Sequence, residues 1–329
     1  MKKTLTFLLF SITGCLILNS QTISSQGKPI TEIFTDFHYN LKDSLRTTGF
    51  GLNRAYLGYN FLPAGNFSGT IILNIGSPDE LPPGSVHHRY AYLREASVTY
   101  AKDNLTIAFG ITGTRLFDFQ QRFWGKRYVA NTYQSINGYG QVADLGVAID
   151  YKFNDIWKGD ITVMNGEGYS DLQLDNGVKT SAGITFTPVK QVAIRIYGDV
   201  ENPKNRWRYT FIGFAGFKND LITIGGEISY RSNLDMIAGH NAWGISATGG
   251  ITIFKKTEIF ARYDYSASVI LPGEYSQWDL LNDGKFIVYG LQYTFSENVK
   301  MALNYQGTYP YNNNKQDTNE IFVNAFFKF

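Results

Sequence analysis

The sequence predicts an all-β protein, a transmembrane antiparallel β-barrel of about 16 strands with an inward-folded third external loop. Three observations support this fold class. Beyond the N-terminal segment, no apolar run approaches the ~18 residues that a membrane helix needs. The chain is rich in Tyr (22), Phe (24) and Gly (33) and poor in Pro (9). Segments of about 10 residues with period-two alternation fill most of its length, and a tilted strand of that length crosses an outer membrane.

The N-terminal residues 1–25 are predicted to be a secretory signal peptide, which leaves 26–329 as one barrel domain. Lys2 and Lys3 form a short positive region, and an apolar stretch and small polar residues suited to cleavage follow. Cys15 is the only cysteine, so we expect no disulfide in the mature chain. The residues before Cys15 also resemble a lipoprotein acylation site, but the apolar residues directly after it favour a continuing signal peptide.

Sixteen segments carry the strand pattern. They lie near 31–41, 50–61, 67–76, 90–101, 104–113, 141–153, 155–166, 178–187, 192–200, 206–217, 220–231, 241–253, 257–266, 284–295, 297–307 and 318–329. An even number of antiparallel strands places both ends of the chain on the same side of the membrane. We expect that side to be the periplasm.

The connections between these segments alternate in length. Those after most even-numbered segments are short, and they lie at 62–66, 102–103, 154, 188–191, 218–219, 255–256 and 296. Those after odd-numbered segments are mostly long, and they lie at 77–89, 114–140, 167–177, 232–240, 267–283 and 308–317. Short periplasmic turns that alternate with longer external loops are typical of outer-membrane barrels. A soluble β-sandwich has no reason to sort its loops in this way.

Many strands carry one apolar and one charged face. In the thirteenth strand, Ile259 and Ala261 share one face, whereas Arg262 and Asp264 share the other. We predict that the apolar faces contact lipid and the charged faces line the lumen, which a soluble barrel would reverse. The basic residues predicted to face the lumen are Arg54, Lys158, Arg195, Arg208, Arg262 and Lys300. They accompany the acidic residues Asp36, Asp144, Asp150, Asp160, Glu227, Glu258 and Asp264.

One residue of the fourth strand breaks its alternation. Arg94 shares parity with the apolar residues Ala96 and Val98. A β-bulge near Leu93 would turn Arg94 to the polar face, because a bulge adds one residue to one strand of a pair. Periodicity alone does not decide whether this bulge exists.

Aromatic residues gather at strand ends, as Tyr59 with Phe61 and Tyr293 with Phe295 illustrate. Such residues suit the membrane–water interface, and ordinary cross-strand aromatic pairing is the alternative. The chain ends on Phe329, which completes an amphipathic strand. This ending resembles the C-terminal strand of outer-membrane barrels, which the barrel-assembly machinery reads, so we expect that machinery to be a partner.

The connection 114–140 is the strongest candidate for a functional segment. Its 27 residues lack alternation and carry four basic side chains against the single acid Asp118. The four basic residues, which we predict to form a pore constriction, are Arg115, Arg122, Lys126 and Arg127. A helical middle would place Arg115, Arg122 and Lys126 on one face, where cations in a narrow pore attract anions. Alternatively, these side chains pair with acids of the barrel wall and anchor the loop.

Several other classes of function find no support. Without Lys2 and Lys3 the chain has 28 basic and 28 acidic residues, so a basic field for nucleic acid is absent. His87 and His88 lack further ligands at suitable spacing, which favours a solvated pair over a metal site. Recognisable hydrolase, metalloprotease and phosphate-loop motifs are missing. We therefore expect neither a cofactor nor an enzyme, although residues assembled across strands leave a barrel hydrolase as a minor alternative.

Four strand motifs resemble the phosphate-selective porin O and P family. They are Arg54-Ala55-Tyr56-Leu57-Gly58-Tyr59, LREASVTY at 93–100, LTIAFGI at 105–111 and ADLGV at 143–147. The resemblance covers roughly residues 45–155. It implies a 16-stranded barrel, usually trimeric, whose third external loop folds inward and passes anions along basic side chains. The chain departs from the family pattern where Phe109-Gly110 follows Ala108, without the Lys and Pro often found there.

These observations predict a porin in the outer membrane of a Gram-negative bacterium. It would allow passive diffusion of small polar solutes, with a mild preference for anions. Its partners would be outer-membrane lipid, small anions or polar solutes, and two further copies of the chain in a homotrimer. A barrel plugged by its aromatic loop, with a structural or surface-interaction role, is the main alternative.

Overall fold

Sixteen strands form a closed antiparallel barrel in the part of the chain that the structure describes. The structure is a computed structural model, and it describes residues 27–41, 48–62, 65–76, 90–173, 175–203, 206–311 and 315–329. Each strand pairs with its neighbours in sequence, and the first pairs with the last to close the barrel, from Glu32 opposite Lys328 to Asn40 opposite Glu320. The predicted closed antiparallel β-barrel and its strand number are confirmed. The predicted signal peptide, Cys15, His87 and His88 lie outside the described residues.

The strand bounds follow the sequence pattern closely. The strands are β1 Lys28–Asn40, β2 Gly49–Phe61, β3 Phe67–Gly76, β4 Tyr90–Lys102, β5 Leu105–Gly113, β6 Ala143–Lys152, β7 Trp157–Met164, β8 Lys179–Val189, β9 Val192–Glu201, β10 Arg208–Lys218, β11 Ile222–Arg231, β12 Ala242–Phe254, β13 Thr257–Ser268, β14 Gly284–Ser296, β15 Val299–Pro310 and β16 Thr318–Lys328. The expected turn at 188–191 is shorter in the structure, because β8 continues through Pro188. Its ladder with β9 skips that residue, which has no N–H to donate.

Connections alternate in length around the barrel as the sequence predicts. At one end, tight turns such as Asp103-Asn104 join β4 to β5, and Asp103 adopts a positive φ of 50° there. At the other end lie the longer connections. The connection 114–142 contains two helices, α1 (Asp118–Trp124) and α2 (Tyr133–Ile136). Among the described residues, no helix has both the length and the apolar character needed to cross a bilayer.

Many strands have an exposed apolar face and a buried face that carries most of their polar residues. In β13, Ile259 and Ala261 are exposed, whereas Phe260, Arg262 and Asp264 are buried. Arg262 and Asp264 are each only 3 % exposed. Charged groups at that burial need partners. Arg262 pairs with Asp264 of the same strand and donates to the carbonyl of Asn131 in the connection 114–142.

Two β-bulges alter the register of the strands that carry Arg54 and Arg94. On β4, Ile72 pairs with Glu95 and Leu73 pairs with Leu93, which leaves Arg94 as an extra residue. On β2, the pairing likewise passes from Arg54 to Leu52 and leaves Asn53 as the extra residue. A bulge re-aims side chains by changing the local twist. The break in alternation at Arg94 therefore does mark a bulge.

Aromatic rings pair along the ends of strands at the short-turn end of the barrel. The ring centroids are 4.8 Å apart for Tyr59 and Phe61, and 4.7 Å apart for Tyr293 and Phe295. Both pairs join residues two apart on one strand. Other aromatic pairs join neighbouring strands at the same end, as Phe67 and Tyr100 do at 5.1 Å, so contacts within and across strands are both present.

Candidate functional site

The connection 114–142 is held at its base and bent at a glycine. Thr114 donates its backbone N–H to Val142 and its hydroxyl to the carbonyl of Gln141, at 3.3 and 2.9 Å. Helix α1 ends at Gly125, whose φ of 67° lies in the left-handed region that favours glycine. The chain therefore changes direction before Lys126. The conditional expectation that Arg115, Arg122 and Lys126 share one helical face is wrong, because α1 contains only Arg122.

Arg115 is bound to the barrel wall. Its guanidinium makes a two-pronged contact with Asp150, at 3.0 and 2.7 Å, and a third hydrogen bond to the carbonyl of Gly113 at 2.8 Å. Burial lowers the pKa of Arg115, but its hydrogen bond and attraction to Asp150 outweigh that effect and raise it. Arg195 donates to the carbonyl of Arg115 at 3.2 Å and also makes a two-pronged contact with Asp160, at 2.6 and 2.9 Å.

Lys126 is the second anchor of the connection. Its ammonium lies 2.6 Å from Glu258 on β13 and sits over the rings of Trp124 and Phe260, at 5.1 and 5.4 Å from their centroids. The Lys126 and Glu258 side chains are only 6 % and 19 % exposed. Burial lowers the pKa of Lys126, and the attraction of Glu258 opposes that shift. Arg262 donates to the backbone carbonyl of Asn131 in the same region.

Aromatic side chains add a packed contact with the wall. Phe119 and Phe123 lie against Phe214, with ring centroids 5.4 and 4.9 Å apart. Phe123 also fills a space beside two wall glycines. A Cβ at Gly216 or Gly225 would lie 2.4 or 2.8 Å from its ring, closer than side chains tolerate. Glycine is therefore needed at both positions for the connection to approach β10 and β11.

Hydrogen bonds extend the anchoring around the barrel. The Tyr128 hydroxyl donates to Gln292 on β14 at 2.8 Å. Gln134 donates to Glu227 and to Ser229 on β11, at 2.8 and 2.9 Å. Gln306 on β15 donates to the carbonyl of Val129 at 3.0 Å. Together with Lys126, these contacts join the connection to β11, β13, β14 and β15.

Three arginines gather around one tyrosine on the opposite part of the wall. The guanidinium carbons of Arg54 and Arg94 lie 5.2 and 5.3 Å from the ring centroid of Tyr56. Arg127 of the connection lies close enough for both arginines to repel it. Burial lowers the pKa of Arg127 to about 10, and the charge of Arg54 contributes. Among the described residues, Nε and Nη1 of Arg54 and Nε of Arg94 have no hydrogen-bond partner.

Among the described acidic residues, one contacts this arginine cluster (Arg54, Arg94 and Arg127) directly and two act on it at longer range. Glu95 accepts a hydrogen bond from Arg94 at 2.8 Å. Glu32 and Asp118 act at longer range, on Arg127 and Arg94 respectively. The sequence analysis singled out Arg54 and Arg127 but not Arg94 as a site residue. The signal that could have found Arg94 is its break in alternation.

The remaining predicted residues fall into two groups. Arg122 and Lys158 are exposed and line one cavity, which Arg195 also lines. Lys300 lies 5.9 Å from the ring centroid of Phe326. Arg208 is paired instead, and its Nε donates to Glu201 at 2.7 Å. The predicted set therefore mixes free and neutralised cations.

Glu201 is the centre of a buried ion network that the sequence analysis missed. Besides Arg208, it accepts from Arg231 at 2.9 Å and lies 3.8 Å from Lys179. The side chains of Glu201 and Arg231 are each 2 % exposed. Lys179 also pairs with Asp199 at 3.3 Å. The available signal was that Arg195, Asp199 and Glu201 share one face of β9, but the pairing across β8 to β11 depends on register.

Two cavities flank the connection 114–142. The first, of about 710 Å³, opens at the short-turn end, where Asp103 and Lys152 line it with Arg122. The second, of about 460 Å³, lies between the connection and β13 to β16 at the end with the long connections. Among the described residues, no three His, Cys, Asp or Glu side chains come together as metal ligands.

No protein-family model and no curated protein matches the chain, whereas many solved structures do. OmpF of Salmonella typhi in complex with daunomycin is similar with a TM-score of 0.70 at 10 % identity, covering 94 % of this chain and 99 % of that chain. The outer membrane channel DcaP of Acinetobacter baumannii has a TM-score of 0.62 at 14 % identity, with coverages of 92 % and 97 %. The trimer form of OmpT, an outer membrane protein of Vibrio cholerae, has a TM-score of 0.64 at 12 % identity, with coverages of 93 % and 99 %.

These likenesses define the fold. The chain has a porin-like, closed 16-stranded antiparallel barrel. At 10–14 % identity the comparisons extend to the fold alone. The resemblance to the phosphate-selective porin O and P family receives no support from a family match, so that narrower assignment stays a prediction.

Proposed function

We propose that this protein is an outer-membrane porin through which small polar solutes diffuse passively, with a mild preference for anions. In this proposal the connection 114–142 lies within the barrel and narrows the lumen. Its contacts with strands far apart around a closed barrel support that position, since Arg115 binds β6 and Lys126 binds β13. The exposed apolar faces of the strands suit contact with outer-membrane lipid.

The arginine cluster is the observation that carries the anion preference. Two guanidinium groups from β2 and β4 lie against Tyr56, and the charge of Arg127 acts on it from the connection. Among the described residues, Glu95 is the acid that contacts one of these cations directly. The unpartnered N–H groups of Arg54 and Arg94 are themselves buried, so these cations would act on a passing anion through their charge. Low-dielectric walls strengthen the field of such charges inside a narrow pore. Glu32 and Asp118 reduce this field from a distance, which is why we propose a mild preference.

The predicted constriction residues take different roles in this proposal. Arg115 and Lys126 anchor the connection, because both are paired with carboxylates of the wall. Arg122 and Arg127 act on passing ions, and a pKa of about 10 keeps Arg127 positive at neutral pH. Of the predicted lumen-facing residues, Arg54, Lys158 and Lys300 would contribute free charge. Arg195, Arg208 and Arg262 would mainly hold the wall and the connection in place.

Several partners belong to the same proposal. We propose that the protein forms a homotrimer. The support is its similarity in fold to the trimer form of OmpT of Vibrio cholerae. We also propose recognition of the C-terminal strand by the barrel-assembly machinery, and a role without nucleic acid, cofactor or catalysis. Loss of a hydrolytic activity on mutation of one polar residue of the barrel would instead reveal the barrel hydrolase.

The dense anchoring of the connection favours one competing function, a plugged barrel with a structural or surface-interaction role. Ion pairs, aromatic contacts and hydrogen bonds hold the connection from β6 to β15. Single-channel recording of the refolded protein in a planar bilayer separates the two functions. Stable conductance steps with chloride favoured over potassium support the proposed porin. A folded barrel without conductance supports the plug.

A further inference from the structure

The cavity at the end with the long connections has an unusual lining for a pore that favours anions. It is bounded on one side by Asn131 and Asn137 of the connection 114–142 and on the other by β13 to β16. Amide and hydroxyl groups dominate its polar lining, and Gln306, Thr308 and Asn324 belong to them. Its volume of about 460 Å³ lies within the range of roughly 300–1,000 Å³ that small-molecule sites occupy.

The charged side chains that line this cavity balance in number, because Asp264 and Asp283 stand against Lys285 and Lys315. Asp264 is paired with Arg262 through contacts of 2.8 and 2.5 Å. Asp283 accepts the backbone N–H and the hydroxyl of Ser268, both at 2.6 Å. Lys315 donates to the carbonyl of Leu281 at 2.6 Å. Little net field is therefore left to select an ion in this cavity.

Several neutral polar groups remain available for a ligand. Within the described part of the chain, the side chains of Asn131 and Thr308 make no hydrogen bond, although Asn131 accepts one through its backbone carbonyl. The rings of Phe286 and Phe322, both half-buried, also line the cavity. Free amides and hydroxyls beside aromatic faces match a ligand that has hydroxyl groups on its rim and C–H groups on its faces.

From this lining we propose that the cavity binds a neutral polyhydroxylated solute of mono- or disaccharide size before it passes the arginine cluster. The inference rests on the proposed porin function, and it names the class of solute that the channel collects. Asn131 and Thr308 hydrogen-bond the hydroxyl groups, and Phe286 and Phe322 pack against the C–H faces. The site needs no charge on the solute, because its acidic and basic side chains are equal in number.

The test is isothermal titration calorimetry of the refolded full-length protein in detergent micelles, with maltose and glucose as probes. We expect saturable binding of at least one sugar to the unmodified protein. Asn131→Ala with Thr308→Val should weaken it about 10-fold, the effect of losing about two neutral hydrogen bonds. Thr187→Val, in the cavity at the short-turn end, is the matched control and should leave the affinity unchanged.

The single variant Asn131→Ala guards against misfolding, because its side chain is exposed and its backbone carbonyl still accepts from Arg262. It should weaken sugar binding about 3-fold. Absence of sugar binding to the unmodified protein would overturn the proposal, as would equal affinities in the cavity variants and the control. Displacement of the sugar by inorganic phosphate would also overturn it. Conductance without added sugar reports separately on the porin function, so the two proposals can fail independently.

Discussion

The buried pair of Lys126 and Glu258 offers the sharpest test of how the connection 114–142 is held. The pair joins residues 132 positions apart in sequence, at a distance of 2.6 Å. Lys126→Met keeps most of the length of the side chain and removes its charge. Of its partners among the described residues, Glu258 then keeps Gln292, which donates to it at 3.3 Å.

The expected loss of stability follows from burial. Breaking a fully buried ion pair costs about 3–5 kcal/mol, because one charge stays desolvated without a partner. Glu258 is 19 % exposed and keeps one hydrogen bond, so we reduce the expected loss to about 2–3 kcal/mol. Glu258→Gln in the Lys126→Met background removes the orphaned charge, and it should recover at least about 1 kcal/mol of that loss.

Equilibrium unfolding in guanidinium chloride, in detergent micelles, measures these differences. Arg122→Met is the matched control, since Arg122 belongs to the same connection but is exposed. It should change the free energy of unfolding by no more than about 0.5 kcal/mol. Equal effects of Lys126→Met and Arg122→Met would refute the anchoring role of Lys126. A double variant less stable than Lys126→Met would refute the orphaned-charge explanation.

Three further predictions concern the arginine cluster and the wall. Arg54→Ala or Arg94→Ala should each reduce the chloride-over-potassium permeability ratio about 2-fold, because one charge ~8 Å from an ion contributes about 0.5 kcal/mol in water-like surroundings. Reversal potentials under a KCl gradient measure this ratio. An unchanged ratio would contradict the prediction. Since the cationic form of Arg127 exists below its pKa of about 10, chloride preference should fall as pH rises from 7 through 10, and it should fall by less in Arg127→Gln. If the unmodified protein and Arg127→Gln lose chloride preference in parallel with pH, Arg127 does not attract the passing anions. Glu201→Gln should lower the free energy of unfolding by about 3 kcal/mol, because Arg231 loses its buried counter-charge; chemical denaturation gives the value, and a change below about 0.5 kcal/mol would disprove the network's importance.

The sequence predicted the barrel well because the barrel is built from local regularities. Strand alternation has a period of two, and a closed antiparallel sheet repeats one hairpin geometry, so connection lengths carry the topology. Strand bounds depend on the same pattern, and the pattern misplaced the end of β8, where Pro188 is unpaired but the strand continues. A proline ends hydrogen bonding on one side without ending the extended backbone.

The roles of individual cations could not be predicted in the same way. Arg122 and Lys126 look alike in sequence, yet one is exposed and the other is buried against Glu258. That difference depends on the bend at Gly125 and on a partner from a distant strand. Arg94 illustrates the opposite case, because its irregular parity was visible in the sequence. The register with β3 is needed to show that this irregular parity is a bulge with Arg94 as the extra residue.

Single-channel recording of the refolded protein in a planar bilayer, with the reversal potential under a KCl gradient, tests the central claim most directly. We expect stable conductance steps and a reversal potential that favours chloride, with the preference reduced in Arg94→Ala. Steps that favour potassium would contradict the role of the arginine cluster. A correctly folded barrel that gives no steps would contradict the porin function itself.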